Sequence, residues 1–497
     1  MKRAVLACAL SLALGFFLTQ SSFGQNVPDW GQWGRVQQHN GATGAHGQSP
    51  TRKLADITFD PFTTQEKAEA FGELLIHYQV PLIDGKRVLL EVKTGKYISC
   101  DPPGSGVPFP CGPDAWNKQI WNERAYLWQN GKLVQSWNFR SDWKPEPNAG
   151  GFSGWEPVFH SALGNGFVYV PGFGGSIYKL NETTGQVVTH YRPFGAKDDP
   201  FKFVAGPLTV DHAGNVYYNV IALDKTLGWQ ADARGAWLVR ITPQGTMGTV
   251  KFSVLVPNAP TTCEGGEPCG SQRPAINAAP AIANDGKTVY VISRAQFFPD
   301  YAYVVAVNAN LTPTWQTSLR DLVNGVDGWV SNVASSTPAV APDGSVLFGA
   351  LASTSDRGYL FKLSSAGKYL ASYNFGWDET PAIYAHDGTY SVIIKDNFYD
   401  TGGPFYITQL DANLVPEWHY QNPSNREWCV NAPAVDAEGT VYANSEDGSA
   451  YVINQGGTLK GKIFLLQAVG SAYTPVAVGK DGKIYAENNG DMFVIGN

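Results

Sequence analysis

One short pattern recurs eight times along the chain: a proline followed by apolar residues, a Gly-containing turn, then a β-rich run. The anchors are Pro81-Leu82-Ile83, Pro157-Val158-Phe159, Pro207-Leu208-Thr209, Pro280-Ala281-Ile282, Pro338-Ala339-Val340, Pro381-Ala382-Ile383, Pro433-Ala434-Val435 and Pro475-Val476-Ala477. They lie about 56 residues apart on average, the spacing of a repeat architecture rather than of separate domains. Hairpins follow the anchors, as in Asp436-Ala437-Glu438-Gly439-Thr440-Val441-Tyr442, where Gly supplies the positive φ that a tight turn needs. A third strand comes next, for example Tyr359-Leu360-Phe361-Lys362-Leu363, and a fourth that often ends on an aromatic such as Trp137, Tyr191, Trp315 or Trp418. Four short antiparallel strands, repeated eight times, predict an all-β fold: an eight-bladed β-propeller of four-stranded antiparallel blades. The last unit, from Pro475 onward, has material for only three strands. An N-terminal strand, expected near residues 30–36, is therefore predicted to close the ring, which also removes an exposed sheet edge.

The chain ahead of the repeats divides in two. Met1-Lys2-Arg3, the apolar run to Leu18, and the small residues Ser22 and Gly24 have the form of a secretory signal, expected over 1–24. Residues 25–77 form the closing segment, with a short helix expected over 63–75 started by a Thr63/Glu66 capping box. The propeller is expected over 78–497. No later run reaches the ~18 apolar residues that cross a bilayer, so the expected location is the periplasm or the cell exterior.

Cysteine spacing agrees with an oxidising compartment. Cys100 and Cys111 flank one Pro- and Gly-rich loop, and Cys263 and Cys269 another, so two disulfides are expected. Neither pair has the tight spacing of zinc ligands. Cys429 reads as a buried small apolar residue. The net charge of −7, without basic runs, excludes nucleic acid as a natural partner. With 43% apolar residues the chain has ample material for a core and is not disordered.

At 157–191, 338–373 and 433–453 the repeat resembles that of the pyrroloquinoline-quinone-like (quinoprotein alcohol dehydrogenase-like) propellers. The resemblance implies the fold for most of the chain. For function it implies a family that includes quinone-dependent alcohol and sugar dehydrogenases as well as assembly scaffolds. The enzymes hold pyrroloquinoline quinone and Ca²⁺ (or a lanthanide) on the funnel axis. They typically use a Trp floor, two adjacent cysteines, Glu/Asn/Asp metal ligands and a catalytic Asp. This chain has no adjacent cysteine pair and no C-x-x-C-H haem motif, and the family's metal ligands do not map onto it residue by residue.

In a propeller the residues just before each anchor proline face the funnel mouth. The candidate ligand-binding residues are therefore Trp155, Glu156, Asn277, Trp377, Asp378, Glu379, Trp428, Asn431 and Tyr473, together with Trp329 of the Gly-Trp pair upstream of Pro338. Flat indole faces stack on a quinone, a sugar or a peptide side chain. The carboxylates and amides offer oxygen to Ca²⁺ or act as an acid/base pair. The favoured reading is an exported, non-catalytic binding or scaffold protein whose funnel face takes a small-molecule, glycan or protein ligand. The alternatives are a quinone- and Ca²⁺-dependent dehydrogenase of alcohols or sugars, and a polysaccharide-active propeller with two carboxylates across the mouth.

Overall fold

The computed structural model describes residues 27–69, 72–98, 118–145, 156–224, 227–323, 325–331, 336–353, 355–376, 379–398, 401–428, 430–467 and 474–497. These form eight antiparallel sheets, each a blade. Blade 1 runs Leu82–Asp84, Arg87–Gly95, Gln119–Gln129 and Lys132–Arg140 from axis to rim. Blade 7 shows the same order with Ala434–Val435, Val441–Asn444, Ser449–Asn454 and Thr458–Phe464. In blades 3, 4 and 5 the innermost position is split into two short strands, such as Lys202–Val204 and Thr209–Val210. The middle strands read as near-continuous apolar runs because both faces pack against neighbouring blades, as in the wholly buried Val216–Ala222. Outer strands alternate, as in Met247–Lys251. The hairpin turns carry glycines at positive φ, Gly439 at 78° among them.

Ring closure uses a different segment from the one expected. Arg52–Thr58 pairs antiparallel with Asp491–Gly496 and forms the outermost strand of blade 8, Arg52 opposite Gly496 and Thr58 opposite Asp491. Residues 30–48, which include the stretch first assigned to closure, instead circle the inside of the ring and bond to the blades in turn. Trp30 exchanges backbone bonds with Ile83, and the carbonyl of Gly31 accepts from the Leu163 amide. The Gln32 side chain pairs with the backbone of Val210. The carbonyls of Gln37, Gln38, Asn40 and Gly41 accept from the amides of Ile282, Val340, Ile383 and Val435 at 2.7–2.9 Å, and the Gln48 amide reaches Gly482 O. In blades 1, 2 and 4 to 7 the innermost strand would otherwise leave a backbone donor bare at the axis, and N-terminal carbonyls satisfy it; in blade 3 the Gln32 side chain does so. The fit is tight: at Gly41 (φ 60°) an added Cβ would lie 2.7 Å from the Pro433 carbonyl oxygen.

A short α-helix, Thr63–Glu69, follows the closing strand and stops well before residue 75. Glu66 does not serve a capping box; its carboxylate reaches Lys93 of blade 1 at 3.3 Å. Cys263 and Cys269 form a disulfide in a loop of blade 4. Cys100, Cys111 and Cys429 lie outside the described residues. Among the described residues no helix is long and apolar enough to cross a membrane.

Candidate functional site

The residues that precede the anchor prolines bond from blade to blade around the axis. The Asn277 Oδ1 accepts from the Val158 amide at 2.9 Å, joining blades 2 and 4, while the Thr337 hydroxyl donates to Asn277 O at 3.3 Å. The Thr337 amide donates to Thr380 Oγ1 at 2.9 Å, and the Thr380 amide to Asn431 O at 3.0 Å. The buried Trp33 of the N-terminal segment donates its indole N–H to Thr380 Oγ1 at 3.0 Å and packs edge-on against His160. His39 spans the axis with one ring nitrogen 3.2 Å from Pro338 O and the other 3.2 Å from Thr209 Oγ1. Burial holds His39, His77 and His160 neutral, with pKa values pulled down to about 3.

Four of the sequence-derived candidates are buried: Asn277 and Asn431 belong to this collar, Glu379 adjoins it beside Thr380, and Glu156 turns its carboxylate to Lys93 and Trp121 instead. Glu379 Oε2 accepts from the Lys395 amide at 2.7 Å. Both side-chain polar atoms of Asn431 and the Nδ2 of Asn277 lack a partner. The other two described candidates lie elsewhere. Trp428 is core, edge-on to Tyr451 at 5.0 Å, and so does not line an open mouth. Trp329, opposite Leu351 in blade 5, is 40% exposed. Trp155, Trp377, Asp378 and Tyr473 lie outside the described residues.

The strongest electrostatic feature is one that residue spacing did not reveal. Lys93, fully buried on the second strand of blade 1, contacts Asp60 at 2.8 Å, Glu156 at 2.9 Å and Glu66 at 3.3 Å. Trp121 Nε1 donates to the other Glu156 oxygen at 3.0 Å, and the Tyr78 hydroxyl to Asp60 at 2.7 Å. Burial alone would pull the Lys93 pKa down, but the surrounding carboxylates outweigh it and hold the ammonium well charged. Burial, followed by mutual repulsion, pushes Glu66 up. Burial also raises Glu156 and Glu91, each partly offset by Lys93. The cluster ties Glu156, and with it the start of blade 2, to blade 1 and the N-terminal segment. Elsewhere, Glu264, Asp300 and Asp327 converge as a metal site would, but Arg320 already pairs with all three.

Glu123 sits beside the cluster, held by the Ser161 hydroxyl and the Gln79 amide, with burial pushing its pKa up to about 7. Because the folded value lies above the unfolded one, its contribution is complete below the ordinary carboxyl range and is lost as pH rises through about 7. The loss amounts to about 3 kcal/mol. Urea denaturation of Glu123→Gln and the parent at pH 5 and pH 8 should therefore give a smaller decline for the variant. Equal declines would show that Glu123 ionises normally.

No family model and no curated protein matches the chain. Solved structures do. A europium-containing methanol dehydrogenase matches over 92% of this chain and 89% of its own, at 11% identity and a TM-score of 0.58. The quinohemoprotein alcohol dehydrogenase of Comamonas testosteroni matches over 95% and 81%, at 12% identity and 0.59. The quinohemoprotein alcohol dehydrogenase ADHIIG of Pseudomonas putida HK5 matches over 95% and 76%, at 11% identity and 0.57. At such identities the likeness is one of architecture: the chain has the propeller fold of the quinoprotein alcohol dehydrogenases.

Proposed function

We propose that this is an exported binding protein whose funnel face takes a neutral or cationic ligand, as a small molecule, a glycan or a segment of another protein. The observation that carries this reading is the sign of the buried charge around the axis. Among the described residues Lys93 is already shared by three carboxylates, Lys395 is a second buried cation, near His77, and Glu91, Glu123 and Glu487 have no basic partner within salt-bridge distance. Pyrroloquinoline quinone carries three carboxylates of its own, so it calls for free cations and an open aromatic face. The described aromatic groups nearest the collar, Trp33 and Trp121, are packed, the latter edge-on to Trp143 at 5.2 Å. The donor set therefore fits a hard cation and does not fit the quinone. Export rests on the basic start and apolar run of residues 1–24.

The dehydrogenase reading remains the second, favoured by the likeness of fold along nearly the whole chain. In it, Glu156, Asn277, Glu379 and Asn431 offer oxygens for Ca²⁺, and stacking would fall to Trp155 or Trp377. A titration with quinone and Ca²⁺ separates the two: no saturable quinone binding supports the first. Turnover supports the second.

A further inference from the structure

Trp329 is the one exposed tryptophan among the described residues; every other described tryptophan is buried or half-buried. It lies on Gly328–Trp329, the first of the two short innermost strands of blade 5, opposite Leu351. The backbone beneath it is firmly held. The Gly328 amide donates to Leu319 O at 2.9 Å and the Val330 amide to Pro299 O at 3.0 Å, and both residues are buried. The indole is therefore presented by a fixed strand rather than by a loop.

The strand pairing runs on past Gly328. The Ser353 amide donates to Asp327 O at 3.1 Å, so the two-residue period of side chains places Asp327 and Trp329 on one face, about 7 Å apart at Cα. Asp327 belongs to the cluster in which Arg320 pairs with Glu264 at 2.9 Å, with Asp327 at 3.4 Å and with Asp300. Arg320 also lies over the Tyr301 ring, 4.0 Å from its centre, which fixes the guanidinium in place. One guanidinium against three carboxylates leaves an excess of negative charge. Glu264, 64% exposed, presents that excess to solvent.

A flat, open indole beside fixed polar groups matches a pyranose ring. The C–H face of the sugar stacks on the indole, and hydroxyls at its edge bond to carboxylate and guanidinium groups. The surplus negative charge suits a ring that also carries an ammonium group. A peptide anchor would instead call for a walled apolar pocket, whereas both chain neighbours of Trp329 are buried.

We infer that Trp329, with Asp327, Glu264 and Arg320, forms a glycan subsite at blades 4 and 5 that takes an amino-sugar unit. The inference rests on the reading of the funnel face as a surface for a neutral or cationic ligand, and it narrows that ligand to a sugar bearing ammonium groups.

The test is calorimetric titration of the full-length mature protein at pH 6 with a β-1,4-linked glucosamine hexamer. Cellohexaose serves as the neutral counterpart and hexalysine as the polycation without a sugar. The expected result is saturable binding of the glucosamine hexamer, with cellohexaose weaker and hexalysine weaker still. Trp329→Ala should weaken binding of both sugars by about 10-fold or more without lowering the melting temperature, and Trp329→Phe should restore part of the affinity. Glu264→Gln should weaken the glucosamine hexamer alone, and it reads the same site if Trp329→Ala does not fold. No saturable heat with either sugar, or undiminished sugar binding in Trp329→Ala, would overturn the inference. Hexalysine bound as tightly as the glucosamine hexamer would do the same, because charge alone would then account for the binding. The funnel reading fails on a different result: turnover with quinone removes it, and sugar binding that is lost in Trp329→Ala would still establish the subsite.

Discussion

Replacing Lys93 by Met is expected to lower folding stability by about 3–5 kcal/mol at pH 8, the usual consequence of removing one partner from a buried ion cluster. Met keeps much of the volume of the lysine stem, so the loss reports charge rather than a cavity. Asp60, Glu156 and Glu66 would be left facing one another in a buried site, with the hydrogen bonds from Tyr78 and Trp121 as their remaining support. The variant should recover part of the loss at pH 5, because carboxylates whose pKa values are raised take up protons there and the repulsion falls. Urea denaturation at the two pH values measures both effects. A deficit below about 1 kcal/mol at pH 8 would mean that the carboxylates are neutral in the parent and that Lys93 is not what holds them.

A second large effect is expected where the N-terminal segment packs inside the ring. Trp33→Ala should cost about 3–5 kcal/mol, the range for emptying the space of a buried aromatic. The indole packs on His160 and donates to Thr380 Oγ1, so its removal also loosens the N-terminal ring whose carbonyls cover the innermost strands. Hydrogen exchange should then accelerate at the amides of Ile282, Val340 and Ile383, which bond to Gln37, Gln38 and Asn40. Unchanged protection there, with a stability loss under about 1 kcal/mol, would show that the ring is held by its backbone alone.

The legible part of this molecule is the part governed by local rules. Proline fixes where each innermost strand begins and glycine where each hairpin turns, and both are visible as letters. The closing strand is harder to see. Arg52–Thr58 is an outermost strand with four of its seven residues exposed and none buried, so it carries little of the apolar pattern that marks a buried strand. The ring over residues 30–48 is held mainly by main-chain carbonyls, which any residue supplies, and its periodicity follows the spacing of the blades rather than that of a helix or strand. Among the candidate residues, Glu156, Asn277, Glu379 and Asn431 are legible because they precede anchor prolines, and all four are buried. Trp428 is packed edge-on to Tyr451, because an aromatic at that offset also serves to fill the space between blades. Glu91 did have a signal: a charged residue interrupts the apolar run from Val88 to Val92, whereas Lys93 and Glu487 each have a polar neighbour, Thr94 and Asn488. A charge in the middle of a strand whose flanking residues are all apolar needs a partner or a ligand.

Whether the funnel face is a binding surface or a quinone site is tested most directly by titrating the purified mature protein with pyrroloquinoline quinone in the presence of Ca²⁺. Trp fluorescence and dye-linked oxidation of alcohols and sugars are followed together. With buried carboxylates in excess and Lys93 already shared, the expected result is no saturable quenching at micromolar quinone and no turnover. Saturable quenching accompanied by turnover would contradict the account and make the protein a dehydrogenase.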